Sequence, residues 1–293
     1  MALSLIAGCF VSPRCALSAE QVHDEIQVYN GEIAAVGQWT IEQHLNYAWR
    51  GQTTPDFPGA LTSNHSLQGT PEFAYGITDW WEAGFYLPFA ISSSGQALSD
   101  GVKVRNLFVI PDAAKHNFFY GVNFELSYET PSFAQAPWGL EVRPIVGVRN
   151  TNWEFIVNPI INFSFGTGGE ADFAPAVRLA RKIGEDRYIG VEYYGDFGQI
   201  GNFLPLSQTS QVVFAVADFK LEPLDIELGI GFGLTPGSDG LIKKAIIGYA
   251  FPVPGGSNES VSISHIRPFV PKAFASQTAA PWSGLYNSSM TGN

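Results

Sequence analysis

Alternation of period two, sustained through segment after segment, constrains this chain more than any other feature. In GQWTIEQHLNYAWR, residues 37–50, Trp39, Ile41, Leu45, Tyr47 and Trp49 fall on one face; Thr40, Glu42, His44 and Asn46 fall on the other. Successive side chains of an extended strand point to opposite sides, so the pattern predicts a strand with one apolar and one polar face. The stretch at 69–90, GTPEFAYGITDWWEAGFYLPFA, repeats it twice: Phe73, Tyr75 and Ile77 alternate with Glu72, Ala74 and Gly76, then Trp81, Ala83 and Phe85 with Glu82, Gly84 and Tyr86. Residues 117–128 and 152–164 follow the same design, and further strands are expected near 101–110, 138–149, 170–181, 187–197, 209–219, 223–234 and 240–251. That makes twelve, with 209–219 and 240–251 alternating less cleanly, so that their facing stays open. No helical periodicity of useful length competes.

The connections carry independent information. After the first strand they alternate long and short: 50–67 long, 78–80 short, 91–100 long, 111–116 fairly short, 130–137 long and 150–151 very short. Barrels of the bacterial outer membrane sort their loops in this way, with short periplasmic turns and longer extracellular loops. Aromatic residues mark the strand ends: Trp39, Trp80, Trp81 and Trp153 beside the short turns, Trp49, Tyr128 and Trp138 at the opposite ends. From Trp39 to Trp49 an extended chain covers roughly 33 Å at ~3.3 Å per residue, or ~25 Å of height when tilted, which matches the apolar band of such barrels. Soluble sandwiches, lipocalin-like barrels and jelly rolls also alternate. They bury the apolar face against itself, however, and have no reason to sort loops by parity or to place Trp and Tyr at strand ends. The expected fold is therefore all-β: a transmembrane antiparallel up-and-down β-barrel of about twelve strands, with ten to fourteen allowed.

Composition agrees. Charged residues are 15% and aromatics 14% of the 293 residues, against about 25% charged in an average soluble domain. The net charge of −11, with no basic stripe, excludes nucleic acid as a partner. Both cysteines, Cys9 and Cys15, lie within the first fifteen residues, which removes disulfides, thiolate metal sites and a cysteine nucleophile from the body of the protein. Residues 1–18 read as a secretory signal peptide ending at Ala16-Leu17-Ser18, although no basic residue precedes the apolar core. Residues 19–36 are expected to be a periplasmic N-terminal segment, 37–251 the barrel, and 252–293, rich in Pro, Gly, Ser and Ala, a disordered tail.

At TTPDFPGALTSNHSLQGTPEFAYGITDWWEAGFYLPFA (53–90) and FFYGVNFELSYETP (118–131) the chain resembles an uncharacterised family of proteobacterial outer-membrane β-barrel proteins with a porin- or transporter-like character. The resemblance runs from about Glu25 to about Tyr249 and is most specific at PEFAYG and TDWWE. It implies the fold and the outer membrane, with lipid, lipopolysaccharide and the barrel-assembly machinery as surroundings. It supplies no substrate or catalytic residue. The chain departs from the family's pattern after Phe251, where such barrels usually end.

The inward positions carry any chemistry. A Lys or Arg facing lipid near the midplane costs about 2–4 kcal/mol. The charged strand residues are therefore assigned to the lumen: Glu42, His44, Glu72, Glu82, Lys103, Arg105, Glu125, Glu141, Arg143, Glu154, Arg178 and Glu192. Their neighbouring signs suit cross-strand ion pairs, which would either brace a closed lumen or line a narrow polar channel. Gly229, Gly231 and Gly233 alternate inward; they serve barrel curvature, or leave room for solvent or for an inward-folded HDEIQVYNGEI (23–33). No glycine-flanked serine elbow and no His-x-x-His spacing is present, so no catalytic residue, metal or cofactor is expected. The expected function is a channel or transporter for small polar or charged solutes. The alternatives are a closed structural or partner-binding barrel, and an outer-membrane lipid-modifying hydrolase.

Overall fold

A computed structural model describes residues 25–166 and 169–253. The signal peptide and the tail expected at 1–18 and 252–293 lie outside these residues, apart from the tail's first two positions. Twelve antiparallel strands close into one barrel. They are β1 (Trp39–Arg50), β2 (Leu67–Gly76), β3 (Trp81–Tyr86, continued by Phe89–Ile91), β4 (Ala97–Ser99 and Gly101–Val109), β5 (Phe118–Glu129) and β6 (Trp138–Arg149). The circuit continues through β7 (Trp153–Asn158 and Ile161–Phe165), β8 (Ala171–Phe173 and Ala176–Gly184), β9 (Arg187–Asp196), β10 (Ser210–Leu221), β11 (Leu224–Gly233) and β12 (Leu241–Ala250). Each strand pairs with its sequence neighbour, and β1 closes the cylinder against β12, with Thr40 opposite Ala250. Among the described residues each of the twelve strands has a neighbour on both sides, as a wall in lipid requires.

Three of the four interruptions fall at prolines, which lack the N–H a ladder needs: Pro88 in β3, Pro159 in β7 and Pro175 in β8. In β7 and β8 the register resumes unchanged beyond the break, so each remains one strand. The fourth interruption is a bulge. Tyr86 faces Lys103 but Phe89 faces Ser99, so β4 absorbs an extra residue at Asp100-Gly101. Gly101 takes φ +113 there, with a hypothetical Cβ only 1.9 Å from the carbonyl oxygen of Tyr128, so glycine is required. Between β4 and β5 a single turn of 3-10 helix (Ala113–Lys115) closes the connection.

The outer wall is apolar. Phe73, Phe85, Val104, Phe124, Phe155, Leu179, Val191, Leu228 and Ile230 are all exposed in mid-strand. An exposed apolar belt of that extent belongs to a protein whose solvent is lipid. Trp39, Trp49, Trp80, Trp138 and Trp153 are 43–55% exposed and Tyr128 41% exposed, all at or beside strand ends, whereas Trp81 is half-buried between Trp80 and Phe108. The two strands with unsettled facing carry large apolar residues inward: Val212, Phe214 and Val216 in β10, Ile242 and Ile246 in β12.

Those residues meet a segment that runs through the lumen. Residues 25–30 are buried within the barrel, and Val28 is 1% exposed. Ile26, Val28 and Tyr29 pack with Leu107, Phe119, Ile145, Ile156, Val212 and Phe214 as one apolar core. The segment expected at 19–36 is described from residue 25, and residues 25–34 run inside the barrel as a plug, the inward course open to 23–33, with Val36 exposed where the chain leaves. The apolar side chains of Ile26, Val28 and Tyr29 favour that core over water. The role given to the β11 glycines changes as well. A Cβ on Gly231 would lie 2.5 Å from the Phe214 ring and one on Gly229 2.8 Å from Lys244, each glycine facing that large residue across the ladder. Gly147 gives the same relief to Phe119 and Gly84 to Arg105. These glycines make space for large inward side chains of neighbouring strands.

Candidate functional site

Inward alternation from several strands gathers the charged residues into two groups joined by the plug. The first surrounds Arg105 of β4. Its guanidinium binds Glu72 of β2, and its Nη2 lies 2.6 Å from the Glu82 carboxylate of β3. Nε2 of His44 sits 3.3 Å from Oε2 of Glu72 and 3.7 Å from Oε2 of Glu42. The register explains the crowding: Glu42 and Glu72 stand directly opposite each other on β1 and β2.

The second group is built on Arg178 of β8, 1% exposed. It reaches Glu192 at 2.6 Å, Glu227 at 3.4 Å, Glu154 at 3.6 Å, and binds Asp218. Nζ of Lys244 lies 2.5 Å from both Glu192 and Glu227, and the Tyr194 hydroxyl donates to Glu192 at 2.7 Å. A buried guanidinium among four carboxylates, joined by a second cation, is a network whose members depend on one another.

Between the groups, wall side chains bind the plug's backbone. Lys244 donates to the Ile26 carbonyl at 3.0 Å, Arg143 to Gln27 at 3.2 Å and Arg149 to Asn30 at 2.9 Å. Asn158 holds both sides of Tyr29, accepting from its N–H at 2.7 Å and donating to its carbonyl at 3.1 Å. The Ala34 N–H donates to Glu82 at 2.5 Å, and the hydroxyls of Tyr29 and Tyr86 are 2.8 Å apart. The Tyr29 ring lies under the Arg143 guanidinium at 4.2 Å. Side chains therefore satisfy the plug's backbone groups, much as a neighbouring strand would.

The plug separates two spaces. At the end of the long loops lies a vestibule of about 520 Å³, lined by Glu25 and Gln27 of the plug. Nine of its lining side chains are carboxylates, Asp56, Asp100, Asp172 and Asp196 among them, against the two bases Lys103 and Arg143. On the other side a space of about 50 Å³ is lined by Gln27, Tyr29, Glu42, Glu72 and Arg105. Gln27 borders both. Beside the vestibule, loop 51–66 is tied to loop 234–240 by Asp239, which accepts from the Gln52 N–H at 2.8 Å and the Ser63 hydroxyl at 2.5 Å. Burial pushes the Asp239 carboxyl up from its ordinary value, against the opposing pull of those hydrogen bonds.

All twelve residues assigned to the lumen face inward, with Glu42, Lys103 and Glu141 the least buried. Lys103 pairs with Glu125 at 3.3 Å and Arg143 with Glu141 at 2.6 Å, while Arg105 turns to Glu72 and Glu82 on the preceding strands. Glu154 bridges Arg149 and Arg178. Sequence reasoning missed Lys244, Asp218, Tyr194, Asn158 and the plug residues Glu25 and Tyr29 as parts of the site. Lys243 and Lys244 are adjacent, so alternation alone does not say which one faces inward. Asp218 lies in the irregular strand β10. Register carried from Glu227 across the short turn 222–223 would have faced Asp218 correctly.

No protein-family model matches the chain and no curated protein matches it. Among solved structures, the COG4313 outer membrane channel from Pseudomonas putida F1 superposes with a TM-score of 0.55 at 12% identity, covering 78% of this chain and 100% of that one. The NanC porin superposes at 0.46 with 9% identity, covering 73% of this chain and 99% of the porin. At these identities the first likeness establishes a shared fold, that of bacterial outer-membrane barrels.

Proposed function

We propose that the protein is an outer-membrane channel for small polar solutes, with a vestibule that favours cations and a lumen closed by residues 25–36 until the plug moves. The observation that carries this reading is the plug itself: a separate segment, held by side-chain hydrogen bonds, between a vestibule of about 520 Å³ and the opposite end of the lumen. A barrel needing only a solid interior has wall side chains to fill it. Here glycines face Phe119 and Phe214, and a removable segment occupies the axis. The solved channel of similar fold supports the same reading.

Nine carboxylates against two bases give the vestibule a negative potential, which concentrates cations at its mouth. Aromatic rings among its lining, Phe57, Phe133, Trp138 and Tyr194, offer π-faces to organic cations. Reversal potentials across planar bilayers holding plug-deleted protein in a KCl gradient test the selectivity. The expected result is K⁺ over Cl⁻; preference for Cl⁻ refutes the cationic vestibule.

A second reading, a permanently closed barrel, is favoured by the Arg178 network, which spans β7 to β11 with its charges paired. The two readings agree that this side of the wall is rigid. They differ over the plug.

A further inference from the structure

Where the plug meets the wall, three metal-ligating side chains converge. Glu25 of the plug, His44 of β1 and Glu72 of β2 each bring one ligand atom to within 4.8 Å of the other two, and all three are buried. Glu42 adds a third carboxylate, 3.7 Å from the imidazole. Glu42 and Glu72 face each other across the β1–β2 ladder, where like charges repel unless a cation lies between them.

Two buried carboxylates, Glu72 and Glu82, bind Arg105, while Glu42 and Glu72 both approach His44. Arg143 is engaged by both oxygens of Glu141, at 2.6 and 3.0 Å, and also pairs with Glu25 of the plug at 3.8 Å. Meanwhile Nδ1 of His44, on a ring 1% exposed, has no hydrogen-bond partner among the described residues. A buried polar atom in that condition calls for an explanation, an unplaced ion among them.

We infer that Glu25, His44 and Glu72 bind a divalent transition-metal ion that latches the plug to the barrel wall. The donor set defines the class. An imidazole with carboxylates suits Zn²⁺ and its neighbours; all-oxygen sites suit Mg²⁺ and Ca²⁺, and Cu(I) would want thiolates. Zn²⁺ takes four ligands at about 2.0–2.2 Å from nitrogen and oxygen, so small side-chain movements close the cluster on the ion, with Glu42 or water in the fourth position. Entry is available because Glu25 also lines the acidic vestibule. The site arises from tertiary contact between residues 19 to 47 positions apart, so no local spacing announces it.

The test uses the mature chain in detergent, without a polyhistidine tag and treated with chelator. ZnCl2 is titrated calorimetrically into the wild type, Glu25→Gln and His44→Gln. Glu25 belongs to the plug rather than the wall, so E25Q leaves the barrel able to fold, and heat-dependent gel migration verifies this for both variants. The expected result is one Zn²⁺ per chain, bound at least about tenfold more weakly by each variant, the loss typical when metal-site partners are removed. Zn²⁺ should also slow hydrogen exchange over residues 25–35 of the wild type. Absence of stoichiometric binding by the folded wild type, equal affinity in the variants, or binding without slowed exchange overturns the inference. These readouts report ion and plug without reference to conduction, so the latch and the channel fail separately.

Discussion

At the scale of single residues, the interior is decided by a few large side chains and by the space left for them. Arg178 is the clearest case, because its removal leaves Glu154, Glu192, Asp218 and Glu227 buried with only Arg149, on Glu154, and Lys244, on Glu192 and Glu227, as counter-charges among the described residues. Removing one partner of a buried ionic network costs about 3–5 kcal/mol. Arg178→Met should lower stability by that amount in urea titrations of the lipid-reconstituted barrel; a change under about 1 kcal/mol, the size of a surface pair, would show that the network is wet. Gly147 makes a steric counterpart. A Cβ there would lie 2.0 Å from the Phe119 ring, so Gly147→Ala should cost about 1–3 kcal/mol by overpacking. Adding Phe119→Leu should recover most of that loss. If the double variant is no more stable than Gly147→Ala alone, the ring is not what the glycine accommodates.

At the scale of elements, β strands with strict alternation were legible from sequence, whereas the plug was legible only as one of several courses open to residues 23–33. In β1 and β5 a polar inner face and an aromatic outer face make register and facing unambiguous, because a one-residue slip would turn Glu42 or Glu125 into lipid. β10 and β12 escaped assignment for the physical reason that they line the apolar part of the lumen, so Val212, Phe214 and Ile246 face inward and alternation loses its contrast. That apolar lining exists because Ile26 and Val28 cover it. The plug thus accounts for the two irregular strands. The loops have their own test in Asp239, which fastens 51–66 to 234–240. Its carboxyl is raised by burial, so the folded state holds its proton more tightly than the unfolded chain. Docking is therefore tightest below the ordinary carboxylate value and weakens as pH rises toward the raised one. Proteolysis within 51–66 should accelerate over that interval in the wild type, and Asp239→Asn should abolish the pH dependence. Unchanged dependence in D239N would point to another group.

At the scale of the whole molecule, lipid outside and paired charge inside fix the architecture, and the plug decides the state of the lumen. The wall's strongest network, around Arg178, joins strands to one another, whereas the bonds from Lys244, Arg143, Arg149 and Asn158 join wall to plug. Each neutral hydrogen bond is worth about 0.5–1.5 kcal/mol net, and those from charged donors about 1.5–3. Displacing the plug is therefore costly but leaves the wall's own pairing intact. Single-channel recording in planar bilayers tests this most directly, comparing the wild type with a variant lacking residues 25–33. If the plug closes the lumen, openings from the wild type are rare or small and conductance from the deletion variant is steady and much larger, both migrating on gels as folded barrels. Equal conductance from the two, or none from a folded deletion variant, would contradict it.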